Sequence, residues 1–152
     1  PMIVMAVCFV LWFLWRRQKA ECLVASAALL SLGINPVLKV LIERPRPAED
    51  LIRVWQDNTG LGFPSGHAFT AVVLFGLAFY LAPALVPGRW AIALLRTLSA
   101  SMILLIGLSR VYLGAHWPSV VLGGFVYGAI VLTLLVLFHG LQRPQAEPAR
   151  AA

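Results

Sequence analysis

Three clusters of polar residues interrupt an otherwise apolar chain: Lys39 with Arg44 and Arg46, then Pro64-Ser65-Gly66-His67, then Ser109-Arg110 followed by His116. Lysine and arginine neutralise phosphate oxygens, with arginine adding planar bidentate contacts. The amides at a helix N-terminus supply further donors. Of two histidines, one can attack phosphorus while the other protonates the departing oxygen. Cations, a Ser-Gly helix opening and two histidines are therefore the parts of a phosphoryl-transfer site. Such a set requires no metal or other cofactor, and the chain lacks the carboxylate and histidine clusters that a two-metal site needs on this face.

Taken singly, each cluster has a plainer reading. Lys39 alone is a lysine snorkelling from a helix end, and Arg-Pro-Arg-Pro is an interfacial linker. Pro64 to His67 is a helix start with Ser65 as its cap and Gly66 allowing close backbone approach, and Arg110 with His116 anchors an interfacial turn. What favours the chemical reading is that all three recur at one membrane depth on one side. Ionisable groups near a bilayer are costly, and groups that converge there point to function.

The elements that must position these residues are membrane spans. The 152 residues are 61% hydrophobic and only 12% charged, with a mean hydropathy of +0.87, against roughly 45–50% apolar and about a quarter charged in a soluble domain. The net charge of +6 is scattered between apolar segments and forms no basic stripe, so nucleic acid is not expected as a partner; anionic lipid and phosphate are. Cys8 and Cys22 lie within apolar runs without metal-ligand spacing and read as small buried hydrophobes.

Five apolar segments are expected, at Met2 to Trp15, Ala20 to Ile42, Pro64 to Leu81, Trp90 to Leu108 and Pro118 to Phe138. The fold class is thus all-α, a polytopic transmembrane bundle of about five spans with the site at their outer ends. Residues 1–19 form a short first span and a basic turn, 20–138 the core, and 139–152 a polar tail expected to be disordered. The first segment is short for a span, which needs about 20 residues. With Pro1 in place of an initiator methionine, the chain reads as a processed product or a piece of a longer polypeptide. Pro118 suits the first turn of a helix, and Gly124 with Gly128 is a small-xxx-small pair that lets a neighbouring helix approach. His139, at the opposite end of its segment from the clusters, is read as structural.

Alternating spans place Arg16, Arg17, Lys19, Arg89, Arg143 and Arg150 on one side, which the positive-inside rule makes cytoplasmic. All three clusters then face outward. The expected location is a bacterial inner membrane, with the site toward the periplasm or cell exterior.

Lys39, six intervening residues, then Arg46-Pro47; Pro64-Ser65-Gly66-His67; Ser109-Arg110, five intervening residues, then His116: this order resembles the three-part signature of the type 2 phosphatidic acid phosphatase superfamily. The resemblance spans roughly residues 20 to 138. It implies a helical bundle, usually of six spans in membrane members, so an upstream span is expected to be missing or shortened. It also implies that Lys39, Arg46 and Arg110 bind phosphate oxygens, that Ser65 and the Gly66 amide complete the cradle, that His116 is the nucleophile forming a phosphohistidine, and that His67 protonates the leaving group. Arg44 lies outside the matched positions.

One position departs from the signature. Three residues intervene between the nucleophilic histidine and an aspartate in the family, and the aspartate's place is taken by Val120 here. An acid there would accept the His116 ring N–H, fix its tautomer and stabilise its charge; valine does none of this. Glu43 and Asp57 in the long outer loop are the candidates to substitute. Two readings follow. One is a metal-independent phosphatase acting on an isoprenyl diphosphate, phosphatidic acid or phosphatidylglycerol phosphate, impaired at Val120. The other is a catalytically inactive lipid-phosphate binding domain. A vanadate-dependent haloperoxidase shares the pocket type but has soluble relatives, and no polar path at mid-membrane depth suggests a channel.

Overall fold

The computed structural model describes residues 2–44 and 61–142, and these form seven helices: α1 (Met2–Trp15), α2 (Lys19–Ser31), α3 (Ile34–Ile42), α4 (Gly66–Tyr80), α5 (Ala82–Leu85), α6 (Arg89–Tyr112) and α7 (Pro118–Gln142). The five expected segments are all present as helix. The stretch 19–42, α6 and α7 are long and apolar enough to cross a membrane, while α1 and α4 are shorter. The chain is an all-helical integral membrane protein. Two boundaries differ from the sequence reading. The second segment breaks at Leu32 and Gly33, so that α3 starts afresh before Asn35, and α7 runs through His139 to Gln142, so that residues 139–142 of the expected tail are helical. Residues 143–152 lie outside the described residues.

Helix α4 is the centre of the bundle. It packs most extensively on α7 and α6 and also meets α1, α2 and α3. Its apolar residues run right round the helix, and Phe69, Val73 and Leu77 are buried in a cluster with Phe13 of α1, Val24 and Ala28 of α2, and Leu135 of α7. Glycines set the closest approaches. At Gly124 a Cβ would stand 2.8 Å from the Ser65 carbonyl oxygen, and at Gly128 2.8 Å from the Val72 Cβ; the expected small-residue pair thus seats α7 on α4. Association in lipid relies on such van der Waals packing because lipid tails are as apolar as leucine. The same fact corrects the reading of Cys8, which is exposed on α1, since an apolar side chain facing lipid has nothing to gain from burial.

Local chemistry explains the helix ends. Ser65 caps α4, its Oγ accepting from the Ala68 N–H at 3.4 Å, and Pro118 opens α7, where its missing N–H costs nothing. At the end of the bundle where α4 finishes, Arg16 lies over Trp12 at 5.7 Å and Arg89 over Trp90 at 5.0 Å, cation and aromatic pairs suited to an interface. There too, His139 is fully buried between Tyr80, whose hydroxyl is 3.0 Å from Nδ1, and Glu21, whose Oε1 is 3.7 Å from Nε2. This cluster ties α2, α4 and α7 together and fits the structural role expected of His139.

Candidate active site

Antiparallel spans bring the start of α1, the end of α3, the start of α4 and the α6–α7 corner to one end of the bundle. A cavity of about 450 Å³ opens there, lined by Met2, Ile3, Leu32, Asn35, Pro36, Lys39, Gly66, His67, Thr70 and His116. Four of the expected site residues, Lys39, Gly66, His67 and His116, are thus gathered from three separate stretches of sequence.

Each is placed by its local structure. Lys39 sits near the C-terminal end of α3, half-buried, where a cation complements the helix dipole. His67 lies in the first turn of α4, exposed toward the cavity mouth. His116 is 4% exposed and belongs to the turn between α6 and α7. That turn is folded back on α6: the Arg110 carbonyl accepts from the Ala115 N–H at 3.1 Å and from the His116 N–H at 3.2 Å, and Gly114 takes a φ of 66° that suits glycine.

Ser65 and Arg110 are not among the residues that line the cavity. Ser65 is fully buried, its N–H donating to the Val120 carbonyl at 3.3 Å. Arg110 lies in the last turn of α6, half-buried, with its Nε donating to Ser109 Oγ at 3.3 Å. Arg46 and Asp57 lie outside the described residues. Arg44 reaches across to α7: its Nη2 donates to Ser119 Oγ at 3.3 Å and its guanidinium lies 6.0 Å from the Phe63 ring centroid. Its carbonyl accepts from the Gly62 N–H at 2.6 Å. Glu43, in left-handed conformation at the end of α3, is exposed. Val120 is 1% exposed in the first turn of α7.

Sequence reasoning passed over part of this wall. Asn35 was visible as a polar residue in an apolar segment, and its spacing of four from Lys39 is the signal that both share a helix face. Met2, Ile3 and Leu32 carried no such signal, because an apolar residue reads alike whether it lines a cavity or faces lipid.

Comparisons with known proteins show the family and the fold. The sequence pattern of the PAP2 superfamily matches residues 20–144. Phosphatidylglycerophosphatase B of Bacillus subtilis is 34% identical over 103 residues, covering 67% of this chain and 49% of that protein. Decaprenylphosphoryl-5-phosphoribose phosphatase of Mycobacterium tuberculosis is 36% identical over 117 residues, covering 76% and 59% respectively. The chain therefore spans about half to three-fifths of the length of these relatives. The crystal structure of a transmembrane PAP2-type phosphatidylglycerolphosphate phosphatase from Bacillus subtilis superposes with a TM-score of 0.74 at 27% identity, over 95% of this chain and 70% of that one.

Proposed function

Because the chain belongs to the PAP2 superfamily, we propose that it is a metal-independent phosphatase that hydrolyses a lipid phosphate or diphosphate at one face of the membrane. The observation that supports this most is the cavity: Lys39, His67 and His116 share one space with apolar Met2, Ile3 and Leu32. A polar end beside an apolar wall suits a charged headgroup attached to a lipid chain. Isoprenyl diphosphates, phosphatidic acid and phosphatidylglycerol phosphate are the natural candidates. Residues 20–138 form the phosphatase core in this reading. Arg16, Arg17, Lys19 and Arg89 at the opposite end support a site on the outer face of a bacterial inner membrane.

Lys39, Arg46 and Arg110 hold the non-bridging phosphate oxygens, and the Gly66 amide and Ser65 complete the cradle. Ser65 Oγ already accepts the capping bond from Ala68, which leaves its O–H free to donate. A ring nitrogen of His116 attacks phosphorus, forming a P–N bond as the P–O bond to the lipid breaks, and protonated His67 gives its proton to the departing oxygen. His67, now neutral, then takes a proton from water as the water oxygen attacks phosphorus. The P–N bond breaks, inorganic phosphate leaves, and His116 is restored.

Phosphate release from one of these lipids in EDTA, lost in His116→Ala, is the expected result. A wild-type protein that releases phosphate from none of them refutes the reading. Val120 favours one alternative, a lipid-phosphate binding domain without turnover. Binding of inorganic phosphate by a wild-type protein that hydrolyses no lipid is the outcome that selects it.

A further inference from the structure

The cavity wall holds one buried polar side chain that the chemistry above does not use. Asn35 lies in the first turn of α3 and is only 6% exposed. It lines the same cavity as Lys39, Gly66, His67 and His116, and it stands one helical turn from Lys39, so the two side chains share a face. Its acceptor end is turned to α4: a Cβ on Gly66 would stand 3.0 Å from Oδ1 but 3.9 Å from Nδ2. Nδ2 is buried and has no hydrogen-bond partner among the described residues. Buried donors are nearly always satisfied, and one left open in a core calls for an explanation. Here the explanation is at hand, because the side chain that carries this donor lines a cavity walled by a lysine and two histidines, where an anion can supply the missing acceptor.

We propose that Asn35 is a substrate-binding residue whose Nδ2 donates to an oxygen of the phosphoryl group that is transferred. The inference rests on the phosphatase reading for its substrate. The ligand chemistry, a tetrahedral oxyanion beside Lys39 and Gly66, is shared by the lipid headgroup and by free inorganic phosphate. Glycine at 66 is part of the arrangement, since a side chain there would press on the Asn35 amide and displace it. An amide suits this place better than a carboxylate, whose charge would repel the phosphate, and better than a lysine, which could not present an acceptor to α4.

Two substitutions and one wild-type measurement test this. Asn35→Asp keeps the shape and exchanges the donor for a negative charge. A hydrogen bond to a charged group corresponds to roughly 10- to 100-fold in affinity. The Ki of inorganic phosphate and the KM for lipid should therefore both rise by about that factor near neutral pH, with kcat less affected. Acidification that protonates the introduced carboxylate restores an O–H donor and should narrow the gap to wild type; a purely structural role would not produce that recovery. Asn35→Ala should weaken both constants without the pH-dependent recovery. The chain contains two asparagines, Asn35 and Asn58, so selective 15N-asparagine labelling of the wild type, with Asn58→Gln for assignment, isolates the Asn35 side-chain amide. Its signal should move on titration with inorganic phosphate even if no lipid is hydrolysed. A stationary Asn35 amide at saturating phosphate, or an unchanged Ki in folded variants, overturns the proposal while leaving the phosphatase reading intact. Phosphate-dependent movement without any lipid hydrolysis supports Asn35 and defeats the phosphatase reading instead.

Discussion

On the proposed phosphatase reading, Val120→Asp should raise the turnover of the site. The position lies four residues after His116 in the first turn of α7, and its side chain is 1% exposed. Aspartate and valine are close in volume, so the main cost is desolvation of the carboxylate, on the order of several kcal/mol for a buried ion. Two features offset it. Carboxylates in the first turn of a helix gain about 0.3–1 kcal/mol, up to ~2 when partly buried, and a hydrogen bond from the His116 ring to a charged acceptor contributes about 1.5–3 kcal/mol. The net change is a destabilisation of about 0–3 kcal/mol, read as a drop of a few degrees in Tm. The effect on rate is larger. In the serine-protease triad, exchanging the orienting aspartate for its amide lowers turnover by about 10⁴, equivalent to roughly 5.5 kcal/mol of barrier. On the proposed reading, an acid at 120 should therefore raise kcat by about 10² to 10⁴, with KM little changed because that reading assigns phosphate binding to other residues. The assay is phosphate release from lipid in detergent micelles with EDTA. Val120→Asn should gain far less, and Val120→Asp combined with His116→Ala should be silent. A folded Val120→Asp protein that binds inorganic phosphate as wild type does, yet has kcat within about threefold of it, less than 1 kcal/mol of barrier, refutes the reasoning.

Two further outcomes probe the scaffold. Gly124→Ala places a Cβ 2.8 Å from the Ser65 carbonyl oxygen and 2.9 Å from the Ala68 Cβ, so α7 must move off α4; a loss of about 1–3 kcal/mol is expected in thermal unfolding. Lipid hydrolysis should fall with it, because the displaced turn carries Ser65 and Gly66. Tyr80→Phe removes the hydroxyl 3.0 Å from His139 Nδ1 and should cost about 1–3 kcal/mol of stability. Its kcat and KM should stay at wild-type values, since Tyr80 ends the helix whose first turn holds His67 and lies roughly 20 Å away at 1.5 Å per residue.

The parts of this architecture that were legible in the sequence are those where a residue has only one good use. Ser65 before Gly66 announced a capped helix, Pro118 a helix start, and Gly124 with Gly128 a close crossing, and each does that in the structure. The gathering of Lys39, His67 and His116 was legible because charges at span ends need a common reason. Packing was harder to read. In water an apolar face points to the core, but in lipid both sides of a helix are apolar, so nothing in the sequence marked α4 as the buried centre, Cys8 as exposed or Ile3 as a cavity wall. The Glu21–Tyr80–His139 cluster was hidden for a different reason: its members come from three segments, and no spacing along the chain connects them.

Val120 shows how scaffold and chemistry meet in one residue. Its carbonyl accepts the Ser65 N–H at 3.3 Å, tying the start of α7 to the turn that opens α4, while on the proposed reading its side chain stands where an acid would orient His116. The backbone bond is indifferent to the side chain, so an aspartate can be exchanged for valine here without unfastening the cradle. On the proposed reading, a valine at 120 thus withholds the orienting group while leaving the phosphate-binding geometry in place. It also separates the two substitutions experimentally: a change at 120 should act on kcat and spare phosphate affinity, whereas a change at Gly124, which sets the distance of the same turn, should act on both.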